Sequence, residues 1–258
     1  MDLNIVRYEQ HSDRLVHVVL DRPPANALSH ELMDEINEVA ARLEQSAAQV
    51  VILRSAQRMF MAGADLNMVN KAWEFLRATI QKAQAMMNRW ERLPMITVAV
   101  INGHAAGAGC ELTLASDLRL MARGKPTIGL PEVLRGLLPG AGGTQRMSRL
   151  IGRGAALDMC LRGRLVDADE ALRIGLINEA ADADQLDVCV EALTQELLAL
   201  PRLATQAIKR CIVNGLDLPI AEGLLIEENE MTGLGDSSDT REGVCAFVEK
   251  REPHFTGD

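Results

Sequence analysis

Apolar and polar positions along the first half of the chain follow two different periodicities. Short apolar runs rich in β-branched residues stand at 14–21, 50–55 and 95–101 and are typical of strands buried in a sheet. Residues 29–45 have helical spacing instead, with Ser29 placed to cap the helix, and a longer helical segment is predicted at about 69–92. This alternation of strands and helices predicts an α/β core of right-handed βαβ crossovers.

After about residue 142 the pattern becomes mostly helical. Glycines are predicted to mark helix ends at Gly152, Gly154, Gly163 and Gly175, and prolines are predicted to open helices at Pro201 and Pro219. We expect a main domain over residues 1–198 and a helical region over 199–258. Since there is no long linker or low-complexity tract, a freely swinging second domain is not expected.

A stretch of eighteen uncharged residues, from 93 to 110, has the length of a membrane span. Pro94, Asn102 and three glycines argue against a span, and favour a buried strand followed by a glycine-rich turn that enters a helix. The amino terminus lacks the basic flank and apolar run of a signal peptide. We therefore expect a cytoplasmic protein that does not associate with membranes.

Composition narrows the classes of partner. A formal net charge of −9 and a pI near 5.2 disfavour nucleic acid as the main partner. The cysteines are odd in number and widely spaced, which predicts reduced thiols rather than disulfides or a zinc site. They are Cys110, Cys160, Cys189, Cys211 and Cys245. The histidines show no metal-ligand spacing along the sequence, and no GxSxG motif marks a serine nucleophile. They are His11, His17, His30, His104 and His254.

Glu111 and Glu132 are the candidate catalytic acids, because each ends an apolar stretch marked by glycine or proline. A carboxylate in apolar surroundings has a raised pKa and can serve as a general acid or base near neutral pH. Structural alternatives stay open for both residues. Glu111 can complement a helix dipole, and Glu132 can form a salt bridge with Arg135 or Arg146.

Two segments of small residues offer backbone hydrogen-bond donors. In "FMAGADL" (60–66) the small residues allow a ligand to approach the N–H of Ala64. Taken alone, this segment is better explained as a tight loop that needs small residues only for steric reasons. "GHAAGAG" (103–109) stands where a helix begins, so the N–H of Ala108 is unpaired and lies at the positive end of the helix dipole. Together these donors would stabilise an oxyanion.

Motifs over nearly the full length of the chain resemble those of the enoyl-CoA hydratase (crotonase) family. The residues that carry the resemblance are "RPPANAL" (22–28), "FMAGADL" (60–66), "VINGHAAGAGCEL" (100–112), "ASDLRLM" (115–121), "GLPEVLRGLLPGAGGTQRM" (129–147), "GLIN" (175–178) and "REGVCAFVEKREPHF" (241–255). The long central block is highly specific. A chance match to all of these motifs in order is implausible.

The resemblance implies a crotonase-like ββα spiral core followed by a C-terminal helical trimerisation region, with assembly as a homotrimer or homohexamer. It implies an acyl-CoA thioester substrate, whose carbonyl lies between the N–H groups of Ala64 and Ala108. The implied reaction is the syn addition of water to a trans-2-enoyl-CoA, with Glu111 as the base toward water and Glu132 as the acid that protonates the α-carbon. Neither a metal nor a redox cofactor is implied, and CoA is part of the substrate.

The resemblance also implies a substrate-binding set, with departures from the family pattern. The set is Ala25, Ala62, Ala64, Asp65, Leu66, Asn67, Phe247 and Lys250. Pro23, Pro24 and Asn67 stand where many family members have lysines near the CoA phosphates, and Ala108 replaces a common glycine. Lys250 is equally explained as a surface lysine. The competing functions are a double-bond isomerase or hydratase-lyase on the same scaffold, and a noncatalytic RNA-binding or assembly protein, against which the acidic composition counts.

Overall fold

The computed structural model of the protein describes residues 3–65 and 76–257. Its strands are β1 (Val6–Gln10), β2 (Leu15–Leu20), β3 (Val50–Ser55), β4 (Ile96–Ile101), β5 (Ala105–Ala106), β6 (Leu118–Ala122), β7 (Ile128–Gly129), β8 (Leu165–Val166) and β9 (Glu179–Ala181). Six of them form a sheet in the order β1-β2-β3-β4-β6-β9, and the other three form a sheet in the order β5-β7-β8.

The larger sheet is mixed. β1 pairs antiparallel with β2, whereas β2 with β3, β4 with β6, and β6 with β9 are parallel pairs. In the smaller sheet β5 runs parallel to β7, and β7 runs antiparallel to β8. The parallel pairs confirm the predicted α/β class. The central strands are mostly apolar and buried, as in β3, where only Arg54 is not fully buried.

The helices are α1 (His30–Glu44), α2 (Leu76–Glu91), α3 (Ala108–Leu114), α4 (Gly143–Arg162), α5 (Ala168–Arg173), α6 (Leu186–Leu198), α7 (Arg202–Gly215), α8 (Ile220–Gly233) and α9 (Ser238–Glu249). A short 3₁₀ helix spans Glu132–Arg135. Ser29 caps α1 as predicted, since its hydroxyl accepts a hydrogen bond from the N–H of Leu32 at 3.1 Å. The first part of the predicted helix at 69–92 lies outside the described residues.

The predicted helix ends are confirmed at some glycines and wrong at one. Gly163 is the left-handed C-cap of α4, and Gly175 follows α5 with a φ of 75°. Gly152 breaks the helical dihedrals inside α4, but Gly154 lies within the helix and ends nothing. A glycine keeps its backbone N–H and carbonyl groups and so can take part in helical hydrogen bonds. The helix α4 therefore continues past Gly154.

The uncharged stretch at 93–110 contains β4, β5 and the start of α3. No helix within the described residues is long and apolar enough to cross a membrane. Apart from the half-buried Ile96, the aliphatic side chains of β4 and α3 are buried in the core instead.

The chain divides into two compact units: residues 1–93 with 97–190, and residues 94–96 with 191–258. The division after Val190, within α6, falls eight residues ahead of the predicted boundary at 198. In the second unit, Lys209 Nζ donates to the carbonyl of Met95 at 2.9 Å, and the buried Asp239 accepts hydrogen bonds from the N–H groups of Thr256 and Gly257. Those bonds hold the end of the chain against α9.

Candidate active site

Three segments of the first unit come together around the start of α3. Met61 forms a bridge with Ala105, and the N–H of Ala106 donates to the carbonyl of Met61 at 3.0 Å. β5 also pairs with β7, and the N–H of Gly107 donates to the carbonyl of Gly129 at 3.0 Å. The loop after β3, the turn before α3 and the segment leading to the 3₁₀ helix are therefore joined by backbone hydrogen bonds.

Glu111 lies one turn into α3 and is only 2% exposed. Its Oε1 accepts hydrogen bonds from the N–H groups of Ala141 and Gly143, both at 2.8 Å. These donors fix the carboxyl group and leave Oε2 without a hydrogen-bond partner among the described residues. The side chain is therefore oriented by backbone groups rather than by a salt bridge, which suits a residue that must gain and lose a proton.

Arg146 supports the loop that holds Glu111. Its Nη1 donates to the carbonyl of Ala141 at 3.2 Å, while Nε and Nη2 donate to the carboxylate of Glu91 at 2.9 and 2.8 Å. The guanidinium thus connects α2 to the start of α4. Arg146 was one of two possible salt-bridge partners of Glu132 in the sequence analysis. In the structure it pairs with Glu91 instead.

Glu132 is the first residue of the 3₁₀ helix, and it reaches back toward α3. A β-carbon at Gly107 would lie 2.9 Å from Glu132 Oε1, so the carboxyl group abuts the turn from which α3 starts. Its Oε2 is buried and has no hydrogen-bond partner in the described structure. The described residues include no ion pair to Glu132, so the salt-bridge alternative finds no support.

Both carboxyl groups have pKa values raised by burial. The pKa of Glu111 is raised to about 7, and the charge of Glu132 acts in the same direction as burial. The N–H donors of Gly143 and Ala141 and the charge of Arg146 oppose this rise. Burial also raises the pKa of Glu132, against the opposing effects of its own N–H group and of Arg135. Two carboxyl groups whose pKa values are raised above the ordinary range are suited to acid–base catalysis.

The two predicted oxyanion donors lie on two adjacent segments of this backbone assembly, Ala64 in the loop after β3 and Ala108 at the start of α3. Among the described residues, no acceptor pairs with the N–H of Ala64 or with that of Ala108. Ala108 is the first residue of α3, where N–H groups have no acceptor within the helix. Gly63 and Gly107 join the two segments, because a β-carbon at Gly107 would lie 3.5 Å from the Cα of Gly63. The donors thus flank the same turn that Glu132 abuts.

The structure brings together the predicted substrate-binding residues of the first unit. The N–H of Ala62 donates to the carbonyl of Ala25 at 3.0 Å, and the N–H of Asp65 donates to the carbonyl of Leu28 at 3.0 Å. Arg22 pairs with Asp65 at 3.0 Å. The loop at 22–28 therefore lies along the segment that carries Ala64.

The remaining predicted substrate-binding residues fall elsewhere. Leu66 and Asn67 lie outside the described residues. Phe247 and Lys250 belong to the second unit, where Phe247 on α9 is 84% exposed and Lys250 is the left-handed C-cap of that helix. Their contact with a substrate stays a prediction.

Some residues of the site have roles that the sequence did not predict. Ala141 and Gly143 supply the donors to Glu111, Arg146 holds their loop, and Gly107 leaves the room that Glu132 occupies. Asn26 is fully buried and donates to the hydroxyl of Ser55 and to the carbonyl of Phe60, which anchors the loop at 22–28. The run "PGAGGTQR" (139–146) was the sequence signal for this loop, since consecutive glycines indicate that another group approaches the backbone closely.

Comparisons with known proteins identify the family and the fold. The profile of the enoyl-CoA hydratase/isomerase family matches residues 10–258. An enoyl-CoA isomerase/hydratase of Mycosarcoma maydis is 38% identical over 93% of this chain and 92% of its own length, and the 2,3-dehydroadipyl-CoA hydratase of Escherichia coli is 35% identical over 95% and 96%. The crystal structure of an enoyl-CoA hydratase from Bacillus anthracis superposes with a TM-score of 0.92 at 32% identity, covering 99% of this chain and all of that one. The predicted crotonase-like fold is confirmed.

Proposed function

Because the chain belongs to the enoyl-CoA hydratase/isomerase family, we propose that it is an enoyl-CoA hydratase that adds water reversibly and syn to a trans-2-enoyl-CoA, giving a 3-hydroxyacyl-CoA. One observation supports the proposal more strongly than the others. Two carboxyl groups with raised pKa values, Glu111 and Glu132, lie beside one helix start, whose first N–H group has no acceptor among the described residues, and the charge of Glu132 helps to raise the pKa of Glu111.

The backbone donors make the β-carbon of the substrate electrophilic. With the thioester oxygen between the N–H groups of Ala64 and Ala108, electron density that enters at the β-carbon ends on this oxygen as an enolate. The donors are fixed by the pairing of Met61 with Ala105, so they need no reorganisation as the charge develops. Loss of a single donor of this kind typically slows a reaction by about a hundredfold or more.

The carboxyl groups divide the proton transfers. Glu111, as carboxylate, takes a proton from water while the water oxygen bonds to the β-carbon. Glu132, as carboxylic acid, then protonates the α-carbon, and the enolate returns to the thioester. The water proton ends on Glu111 and Glu132 is left ionised, so one proton must pass between them, or through solvent, before the next turnover. Hydration transfers no electrons to or from a cofactor. CoA enters and leaves as part of the substrate.

An isomerase is the second candidate, favoured by the name of the Mycosarcoma maydis relative, which joins both activities. Moving a double bond needs one group that takes a proton from one carbon and returns it to another. Glu132 alone suffices for that, and its buried Oε2 without a partner is suited to it. The backbone clamp on Glu111 favours hydration instead, because it holds a second base that isomerisation does not use.

Mass spectrometry on a panel of enoyl-CoA esters tests the proposal. The panel holds trans-2-enoyl and trans-3-enoyl thioesters of increasing acyl length, with branched and aromatic members. We expect the trans-2 compounds to gain the mass of one water, in a reaction that reverses when the 3-hydroxyacyl product is supplied. Migration of the double bond without a mass gain would identify an isomerase, and no turnover on any ester would favour a noncatalytic protein.

The predicted homotrimer or homohexamer belongs to the same proposal. Ile208 and Ile212 on α7 and Leu216 at its C-cap recur every fourth residue and are 59%, 61% and 64% exposed. This exposed apolar stripe is suited to burial against another subunit. Sedimentation equilibrium of the purified chain tests the assembly, and a monomer at micromolar concentration would contradict it.

A further inference from the structure

The β1–β2 hairpin brings two histidines and a glutamate together on one face. Their spacing along the sequence is not that of a known metal-binding motif. Glu9 stands directly opposite His17 in the antiparallel register, and His11 follows Glu9 by two residues. Side chains two apart on a strand, and those directly opposite across a pair, point to the same face. The N–H of His11 donates to the carbonyl of Leu15 at 3.0 Å, which continues the pairing beyond β1.

The three side chains are close enough to share one ion. One ligand atom from each of Glu9, His11 and His17 lies within 4.8 Å of the other two. The imidazole rings are 3.9 Å apart between centroids, and His11 Nε2 is 4.0 Å from Glu9 Oε2. Donor atoms around a tetrahedral Zn²⁺ are roughly 3.4 Å apart, given metal–nitrogen distances of about 2.1 Å. Small rotations of the exposed His11 and the half-buried Glu9 and His17 would close a gap of about 1.4 Å or less.

The surrounding charges favour a cation. Glu9 uses Oε1 to pair with Arg7 at 3.1 Å, which leaves Oε2 directed toward His11. Arg7 also pairs with Asp21 at 3.3 Å, so the two carboxylates outnumber the one guanidinium. An arginine that holds one carboxylate oxygen while the other binds a metal orients the ligand, as outer-shell groups do in metalloproteins.

We propose that Glu9, His11 and His17 form a surface site for a divalent transition-metal ion, with Zn²⁺ as the reference ion. Two imidazoles and one carboxylate match the preference of Zn²⁺, and of Cu²⁺ and Ni²⁺, over Mg²⁺ or Ca²⁺. The site contains none of the groups assigned to hydration. Its effect is on β1, an edge strand of the sheet, because the ion cross-links that strand to β2.

The experiment uses the full-length chain without a histidine tag, stripped of metal and titrated with Zn²⁺ against a chromophoric chelator. We expect one Zn²⁺ per chain at this site and an affinity about tenfold or more lower in His11→Ala, in His17→Ala and in Glu9→Gln. His254→Ala, which removes an exposed histidine outside the cluster, is the matched control and should not change the affinity. An affinity that is unchanged in His11→Ala and His17→Ala would overturn the proposal.

Two further measurements keep the test independent of the cysteines and of folding. In imidazole NMR spectra, substoichiometric Cu²⁺ should broaden the signals of His11 and His17 before those of His30 or His254; the reverse order would overturn the site. Zn²⁺ should raise the unfolding temperature of the wild type and not that of His11→Ala. His11 is exposed, so this variant should fold as the wild type does without metal. An equal rise in both proteins would contradict the proposal.

Discussion

Gly107 and Glu132 are so close that a β-carbon on Gly107 would stand 2.9 Å from Glu132 Oε1. Gly107 has a φ of 57° and is the residue from which α3 begins. The same backbone position therefore starts the helix that carries Ala108 and Glu111, and leaves the room in which the second carboxyl group lies. This single contact connects the oxyanion donor to the proposed proton donor.

Gly107→Ala should therefore damage catalysis more than stability. The added methyl group displaces the Glu132 carboxyl, and we expect kcat to fall by about tenfold or more, since general acid–base catalysis contributes about a hundredfold or more to rates. The left-handed φ adds strain of about 1–2 kcal/mol. Steady-state kinetics and thermal unfolding measure the two effects separately.

Gly175→Ala is the control for that strain, because Gly175 has a φ of 75° and open space where the β-carbon would be. It should lose a similar amount of stability and keep its turnover. Equal losses of kcat in both variants would show that the contact with Glu132 is not responsible.

The pH dependence of the reaction should follow Glu111 on its acidic side. The carboxylate form is the base, and its pKa is raised to about 7, so kcat/KM should fall as the pH drops below about 7. Arg146→Gln removes a positive charge that lowers this pKa, and it releases the carbonyl of Ala141. We expect the acidic limb to move to higher pH and kcat to decrease.

Arg153→Gln is the matched control, as an exposed arginine farther along the same helix. Its pH profile should overlie that of the wild type. If Arg146→Gln lowers kcat without moving the acidic limb, then Arg146 supports the fold but does not tune Glu111.

Glu111→Gln should stabilise the folded protein at alkaline pH. The pKa of Glu111 is raised from 4.5 to about 7 on folding, so its contribution to stability is complete below about pH 4.5 and is lost as the pH rises through 7. Glutamine has no charge to desolvate, and its carbonyl oxygen can accept the same N–H groups. The gain over wild type should grow between pH 5 and pH 8, up to about 3 kcal/mol.

Denaturant unfolding of wild type and variant at both pH values measures this gain. Glu252→Gln changes an exposed carboxylate and should show no such growth. A Glu111→Gln variant that is less stable than wild type at pH 8 would mean that Glu111 has a structural role.

The main elements of the fold could be predicted because their signals are local. β3 was predicted at its observed bounds, and α1 was predicted with its cap, since apolar periodicity and a serine before the helix act over a few residues. β5, β7, β8 and β9 were not predicted. They have only two or three residues each, and they are defined by pairing with distant segments rather than by their own sequence.

The candidate site divides in the same way. Glu111, Glu132 and the small residues around Ala64 and Ala108 stand out in the sequence, because chemical type and glycine content are visible there. The donors to Glu111 and the pairing of Arg146 with Glu91 are not visible, since they depend on how the start of α4 meets α2 and α3. The grouping of His11 with His17 likewise requires the hairpin register, because cross-strand partners follow no fixed spacing.

The central claim is that Glu111 and Glu132 jointly move the protons of hydration. Its most direct test measures turnover of crotonyl-CoA and affinity for the CoA ester in wild type, Glu111→Gln and Glu132→Gln. We predict that each variant binds the ester almost as the wild type does and loses hydration by about a hundredfold to ten-thousandfold. Near-normal turnover in either folded variant would remove that glutamate from the mechanism and contradict the account.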